Sequence, residues 1–189
     1  MGMQNACQTA DGNVLTLDIS PTVCGFALGV LSARLPICGF WPLPEVGGEG
    51  AVYCAFSNQL YDTIEANSPS KIVLENPLRP RAIVERTTTE NVYRIHAMRG
   101  LVWEAGHRTS VPVSGYGADD IRMDLLGRCR WPGGSKEGKK AVVAYVRKLG
   151  LKVTDHNAAD AVMVWLYVQR RQRGIPDLGG STAFRDAAD

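Results

Sequence analysis

Between residues 13 and 41 three apolar, β-rich stretches follow one another with only short turns between them, and from residue 51 onward helical periods alternate with short apolar strands. That change of period restricts the fold more than any single residue does. Strands joined by short turns return antiparallel, whereas a strand followed by a helix and a further strand pairs parallel. The pattern predicts an α/β fold with one mixed five-stranded sheet, three antiparallel strands then parallel ones, flanked by helices. Strands are read over 13–19, 23–31, 33–41, 71–75 and 109–113, with Ser20-Pro21-Thr22 as the first turn. Helices are read over 51–66, 87–106, 117–126, 135–149 and 157–172, with Pro42 to Gly50 as a connecting loop and a short extended piece at Lys152-Val153. Gly174 and Pro176 stop the last helix. Residues 1–12 read as a flexible lead, 13–173 as a single domain and 174–189 as a polar, disordered tail.

With 189 residues, 45% hydrophobic and 21% charged, the chain is long enough to bury a full core in one domain. Its apolar runs are too short or too polar to span a bilayer, and no signal pattern opens it, so the expected location is the cytoplasm. Five cysteines (Cys7, Cys24, Cys38, Cys54 and Cys129) form no CxxC pair. Reduced thiols are expected rather than a zinc site or a disulfide framework. The net charge of +2 conceals a polarised chain: residues 1–78 hold two basic and seven acidic side chains, residues 122–152 nine basic and two acidic. Arg147, Lys148 and Lys152 read as a solvated helix face. Arg128, Arg130, Lys136, Lys139 and Lys140 surround the Trp131-Pro132-Gly133-Gly134 breaker, where a loop can wrap a phosphate backbone, and they are expected to contact DNA.

Three acids stand at the ends of apolar segments: Asp18 after Val14-Leu15-Thr16-Leu17, Glu75 after Ile72-Val73-Leu74, and Asp160 within Asn157-Ala158-Ala159-Asp160-Ala161. Each alone has an ordinary reading as a turn residue, an ion-pair partner or a first-turn helix acid. Together they suggest a metal site, because carboxylates resist burial unless positive charge sits beside them. Magnesium prefers such oxygen ligands, and paired ions can activate water for phosphodiester hydrolysis.

The stretch Leu15-Thr16-Leu17-Asp18-Ile19-Ser20-Pro21-Thr22-Val23-Cys24-Gly25-Phe26-Ala27 resembles the opening of RuvC-type Holliday junction resolvases. Ile72-Val73-Leu74-Glu75 is similar to their second acidic strand, and Asn157-Ala158-Ala159-Asp160-Ala161 to the start of their last catalytic helix. Asp120-Ile121-Arg122-Met123-Asp124-Leu125-Leu126-Gly127, then Gly134-Ser135-Lys136-Glu137-Gly138-Lys139-Lys140 and Leu149-Gly150, look like the phage and prophage branch. The resemblance implies a ribonuclease H-like fold over about residues 13–170. It also implies a nuclease that cuts branched DNA with magnesium, or manganese in its place, in a bacterial cell or phage-infected host. Asp18, Glu75 and Asp160 would hold the metals and hydrolysis would leave a 5′ phosphate and a 3′ hydroxyl. Many cellular members carry an acid or His three residues before the final Asp, where this chain has Asn157, preceded by Asp155 and His156. Asn157 is expected as the outer ligand and Asp155 mainly as a helix cap that can swing in as ligand. Leu78 sits where such proteins carry a junction wedge, and Arg79 and Arg81 beside it are expected on DNA. A near two-fold junction implies a homodimer and no membrane partner.

Other readings stay open: a nuclease of the same fold acting on RNA or simple flaps, an actin-like phosphotransferase, or a scaffold that binds junctions without cutting. Trp103 and Trp165 read as core or interface, Trp41 as closing the third strand, and Trp131 as loop packing or a base-stacking residue. His96 and His107 lack ligand spacing, and Ser114-Gly115-Tyr116-Gly117 reads as a turn.

Overall fold

The computed structural model describes residues 12–76 and 88–174. Its elements run β1 (Asn13–Ile19), β2 (Val23–Val30), β3 (Ile37–Pro42), α1 (Gly48–Asn67), β4 (Lys71–Asn76), α2 (Thr89–Thr109), β5 (Val113–Gly117), α3 (Ala118–Leu126), α4 (Gly134–Lys148) and α5 (His156–Gln172). One five-stranded sheet has the order β3-β2-β1-β4-β5. The first three strands pair antiparallel, and β4 joins β1 and β5 joins β4 in parallel. Nearly all of the expected flexible lead and polar tail, and the expected DNA contacts Leu78, Arg79 and Arg81, lie outside the described residues.

Strand alternation divides the interior into two cores. Leu15, Leu17, Ile72 and Leu74 point to one face and pack with Phe56, Leu60, Met98 and Val102 of α1 and α2. Val14, Ala27 and Val73 point to the other, where α5 lies, with α3 and α4 packed outside it. Every residue of α5 from Asn157 to Gln169 is buried, so this helix is wrapped on all sides. Its polar groups are used to pin it to the sheet. Thr16, buried within β1, donates to Ala161 O at 2.8 Å, Trp165 Nε1 donates to Gly29 O at 3.1 Å, and Gln169 Nε2 reaches Leu31 O and Ala33 O, both at 2.7 Å. Positions 161, 165 and 169 recur every four residues, which keeps them on one face of the helix.

Two strands differ from expectation. The third begins at Ile37 rather than Ala33, because Ala33 N closes a turn on Val30 O and the loop that follows carries the carbonyl that Gln169 needs. The fifth lies over Val113–Gly117 rather than 109–113. α2 runs on through Thr109, whose hydroxyl donates to Ala105 O, and ends on Ser110 in the left-handed region at φ 57. Ser114-Gly115-Tyr116-Gly117 is therefore strand, not turn. Its glycine has a packing reason: a Cβ on Gly115 would lie 2.1 Å from the Asn76 side-chain oxygen on the neighbouring strand. No strand forms at Lys152-Val153. Trp165 is fully buried and Trp41 is 5% exposed, stacked on Phe26, as expected, but Trp103 is 50% exposed and so is not core. The Trp131 ring packs over Gly138 of α4, and Cys24, Cys38, Cys54 and Cys129 are free thiols. Among the described residues no helix is long and apolar enough to cross a membrane.

Candidate active site

Asp18 ends the apolar run of central strand β1, and Glu75 ends that of its parallel neighbour β4. By strand parity both project to the α5 face, with Thr16 and Val73 before them. Asp160 comes from α5 itself, one turn in, and is 5% exposed. Three acids distant in sequence thus come to the same end of the sheet, near enough to act on one another electrostatically. The approach of α5 depends on Gly25, which pairs with Asp18 across the β1–β2 ladder. A Cβ at Gly25 would stand 2.0 Å from Asn157 O and 2.5 Å from Ala158 N, so only hydrogen there lets the first turn of α5 lie flat on β2 beside Asp18.

Burial and mutual repulsion act on these carboxylates in the same direction. Asp18 is raised well above the usual carboxylate range by burial first, then by Glu75 and Asp160. Glu75 is pushed up to about 8 by burial and by Asp160, against the pull of Arg122 and Lys139. Asp160 is also raised by burial, with Arg122 acting against it. The sequence reading assigned Arg122 no role in the site. It stands on α3 and donates to Asp160 Oδ1 at 3.2 Å. Burial pulls its guanidinium down, but Asp160 and Glu75 outweigh that and hold it above its ordinary value. A second unforeseen residue, Arg99 of α2, reaches from the opposite face of the sheet and donates to Glu75 O at 2.7 Å and to Asn76 Oδ1 at 2.9 Å. It fixes the end of β4. The sequence signal for Arg122 is its place in the Asp120–Gly127 stretch that resembles the phage branch, which assigns it no contact; nothing in the local pattern marks Arg99.

At the start of α5, Asp155 is the N-cap: its carboxylate accepts from Asn157 N at 2.8 Å and Ala158 N at 3.3 Å. Asn157 is 4% exposed, and its side-chain Nδ2 is buried without a hydrogen-bond partner. His156 Nε2 lies 2.8 Å from Lys139 Nζ. Lys139, Lys136, Lys140, Arg147 and His156, with Val143 and Ala144 as floor, line a groove of about 410 Å³ between α4 and the start of α5. Arg147 is exposed but not merely solvated, since it donates to Val153 O through Nε at 3.1 Å and Nη2 at 2.9 Å. Arg128 and Arg130 are exposed on the loop between α3 and α4, outside that groove.

The donor set suits a hard divalent cation: one buried and two half-buried carboxylates with raised proton affinity, beside the buried Asn157, of whose side chain only the carbonyl oxygen, not the unpartnered Nδ2, is a metal donor. Among the described residues, however, no three His, Cys, Asp or Glu side chains stand close enough to form a ready-made ligand group. The Asp160 carboxylate is paired instead with Arg122.

No protein-family model and no curated protein sequence matches the chain. Solved structures do. RuvC of Thermus thermophilus is similar at a TM-score of 0.67 and 17% identity, over 86% of this chain and 96% of that one. The same values hold for T. thermophilus RuvC in complex with Holliday junction substrate. The yeast mitochondrial Holliday junction resolvase Ydc2 aligns over 87% of this chain and 82% of its own at a TM-score of 0.48 and 15% identity. The chain thus shares the fold of RuvC, which is ribonuclease H-like, here with one mixed five-stranded sheet flanked by helices.

Proposed function

We propose that this protein is a metal-dependent endonuclease that cuts branched DNA, four-way junctions above all, as expected from the phage-type resemblance around Arg122 and Lys136. One observation carries the reading: Asp18, Glu75 and Asp160 converge from three elements on the α5 face of a RuvC fold, beside a basic groove. Asp18, Glu75 and Asp160 would hold magnesium or manganese, with Asn157 completing the shell and Asp155 capping the helix that presents it. Bound there, the ions supply an activated water and charge neutralisation at the departing oxygen. The protein's own part is to orient and to compensate charge. Lys136, Lys139, Lys140 and Arg147 align the backbone of the cut strand, and Arg122 balances the phosphate charge that enters beside Asp160.

The working form is a homodimer, since two opposed cuts need two sites. An exposed stripe on α2, with Tyr93 at 69% and Trp103 at 50% exposure, supports that arrangement. The Arg122–Asp160 ion pair favours one alternative, a protein that binds junctions without cutting them. A labelled four-way junction incubated with Mg²⁺, and separately with chelator, decides between them. Paired incisions that require the metal, and far exceed those on duplex, flap or RNA–DNA hybrid, are expected. Junction binding without incision supports the scaffold instead, and preferred cutting of hybrid or flap moves the substrate class.

A further inference from the structure

Helices α3 and α5 are tied by two ion pairs of opposite polarity. Arg122 of α3 donates to Asp160 of α5 at 3.2 Å, and Arg170 of α5 reaches back to Asp124 of α3, Nε to Oδ2, at 3.0 Å, an ion pair without hydrogen-bond geometry. Asp124 is 4% exposed, beside the apolar cluster that Ile121 and Leu125 share with α5. The second pair takes no part in the function proposed above.

Stability is a poor explanation for it. Removing two charges from water costs several kcal/mol, and apolar residues of similar volume often serve a core as well or better. The geometry suggests a different role. Asp160 and Arg170 are ten residues apart on α5, about 15 Å along its axis, whereas Arg122 and Asp124 are two apart on α3, about 3 Å. The arginine stems therefore pull from opposite directions along α5. A slide of α3 toward either end of α5 stretches one pair, so together the two fix its axial position. That position also decides where the Arg122 head group lies.

We propose that Asp124 and Arg170 are positioning residues that hold α3 in register on α5 and so keep Arg122 docked on Asp160, where an incoming divalent ion must compete with it. The inference rests on the reading of Asp18, Glu75 and Asp160 as a metal nuclease site. It predicts a split that ordinary loss of packing does not give. With the register loosened, Asp160 is freed for metal while Arg122 is misplaced for the substrate, so metal binds more tightly and turnover slows.

The test is the double variant Asp124→Leu/Arg170→Met, compared with wild type and with the conservative Arg170→Lys. Mn²⁺ affinity is measured by calorimetry without DNA, the melting temperature in chelator, and kcat and KM on a four-way junction. Expected for the double variant are an unchanged or higher melting temperature and Mn²⁺ binding about threefold tighter, the scale of one partly exposed ion pair. Its kcat is expected to fall about tenfold with KM within twofold, while Arg170→Lys stays near wild type. Wild-type Mn²⁺ affinity and kcat in the double variant overturn the proposal, as does weaker metal binding that tracks a lower melting temperature. If the double variant loses its cooperative melt, Asp124→Asn, which keeps the shape and removes only the charge, is read by the same measurements. Wild-type protein that binds Mn²⁺ but cuts no junction overturns the functional reading alone, and the calorimetry still decides the pair. Wild-type protein that binds no Mn²⁺ overturns both.

Discussion

Glu75 carries a proton affinity that the folded state itself has raised, from an ordinary 4.5 to about 8. A group whose pKa is higher folded than unfolded contributes stability that is fully present below the unfolded value and is lost as pH rises through the folded one. The metal-free protein is therefore expected to melt at progressively lower temperature as pH is raised between these two values. Glu75→Gln, which removes the charge, should raise the neutral-pH melting temperature by about 3 °C or more, flatten that slope and abolish cleavage. Thermal melts in chelator across that range check the first two, and an unchanged slope in Glu75→Gln removes Glu75 as its source. A second expectation concerns Gly25. With its Cβ position 2.0 Å from Asn157 O, Gly25→Ala must lift the start of α5 off the sheet. It should cost about 3 kcal/mol, read in urea melts, and weaken Mn²⁺ binding as well. Asp18 and Glu75 stand out in the sequence because a carboxylate ending an apolar strand needs an explanation, and Asp160 because the start of its helix carries the resemblance. The partners of Arg99, Arg122, Asp124 and Arg170 were not legible there, since they lie on other elements and no local spacing announces them.

At the scale of elements, period and turn chemistry were enough to place β1, β2, β4 and the described helices to within a few residues. Of the two strands read with other bounds, β3 starts late because a turn and the loop that meets Gln169 come first, and β5 was shifted because its glycines, which make room for Asn76 and for the start of α3, look like a turn in a linear reading. Arg147 was assigned to solvent, yet the spacing 136, 140, 143, 147 lays it along the same groove as Lys136 and Lys140. If a DNA strand follows that groove, Lys136→Ala/Arg147→Ala should lower the log–log salt dependence of junction binding by about 0.9 per lost phosphate contact. Lys148→Ala, one position along the same helix and outside the groove, should leave it unchanged. Equal slopes for both variants in fluorescence-anisotropy titrations over a range of salt return Arg147 to the solvated face.

For the whole molecule, the pairing of the sites is the open mechanical requirement. If the α2 stripe forms the dimer contact, Trp103→Glu should weaken self-association at least about tenfold in sedimentation equilibrium, because it places a charge against a desolvated aromatic. Junction incision should then lose its paired character and leave singly nicked products. Unchanged association puts the contact elsewhere. The sheathing of α5 has a further consequence, in the hierarchy of local openings. Backbone amides of a helix buried from Asn157 to Gln169 exchange with solvent only when most of the molecule unfolds, whereas those of the outer helices α3 and α4 exchange through smaller fluctuations. Asp160 is therefore expected to ride on the slowest-exchanging part of the protein, and the cations Arg122 and Lys139 near it on faster ones. The negative half of the site is rigid on the timescale over which its positive half can breathe.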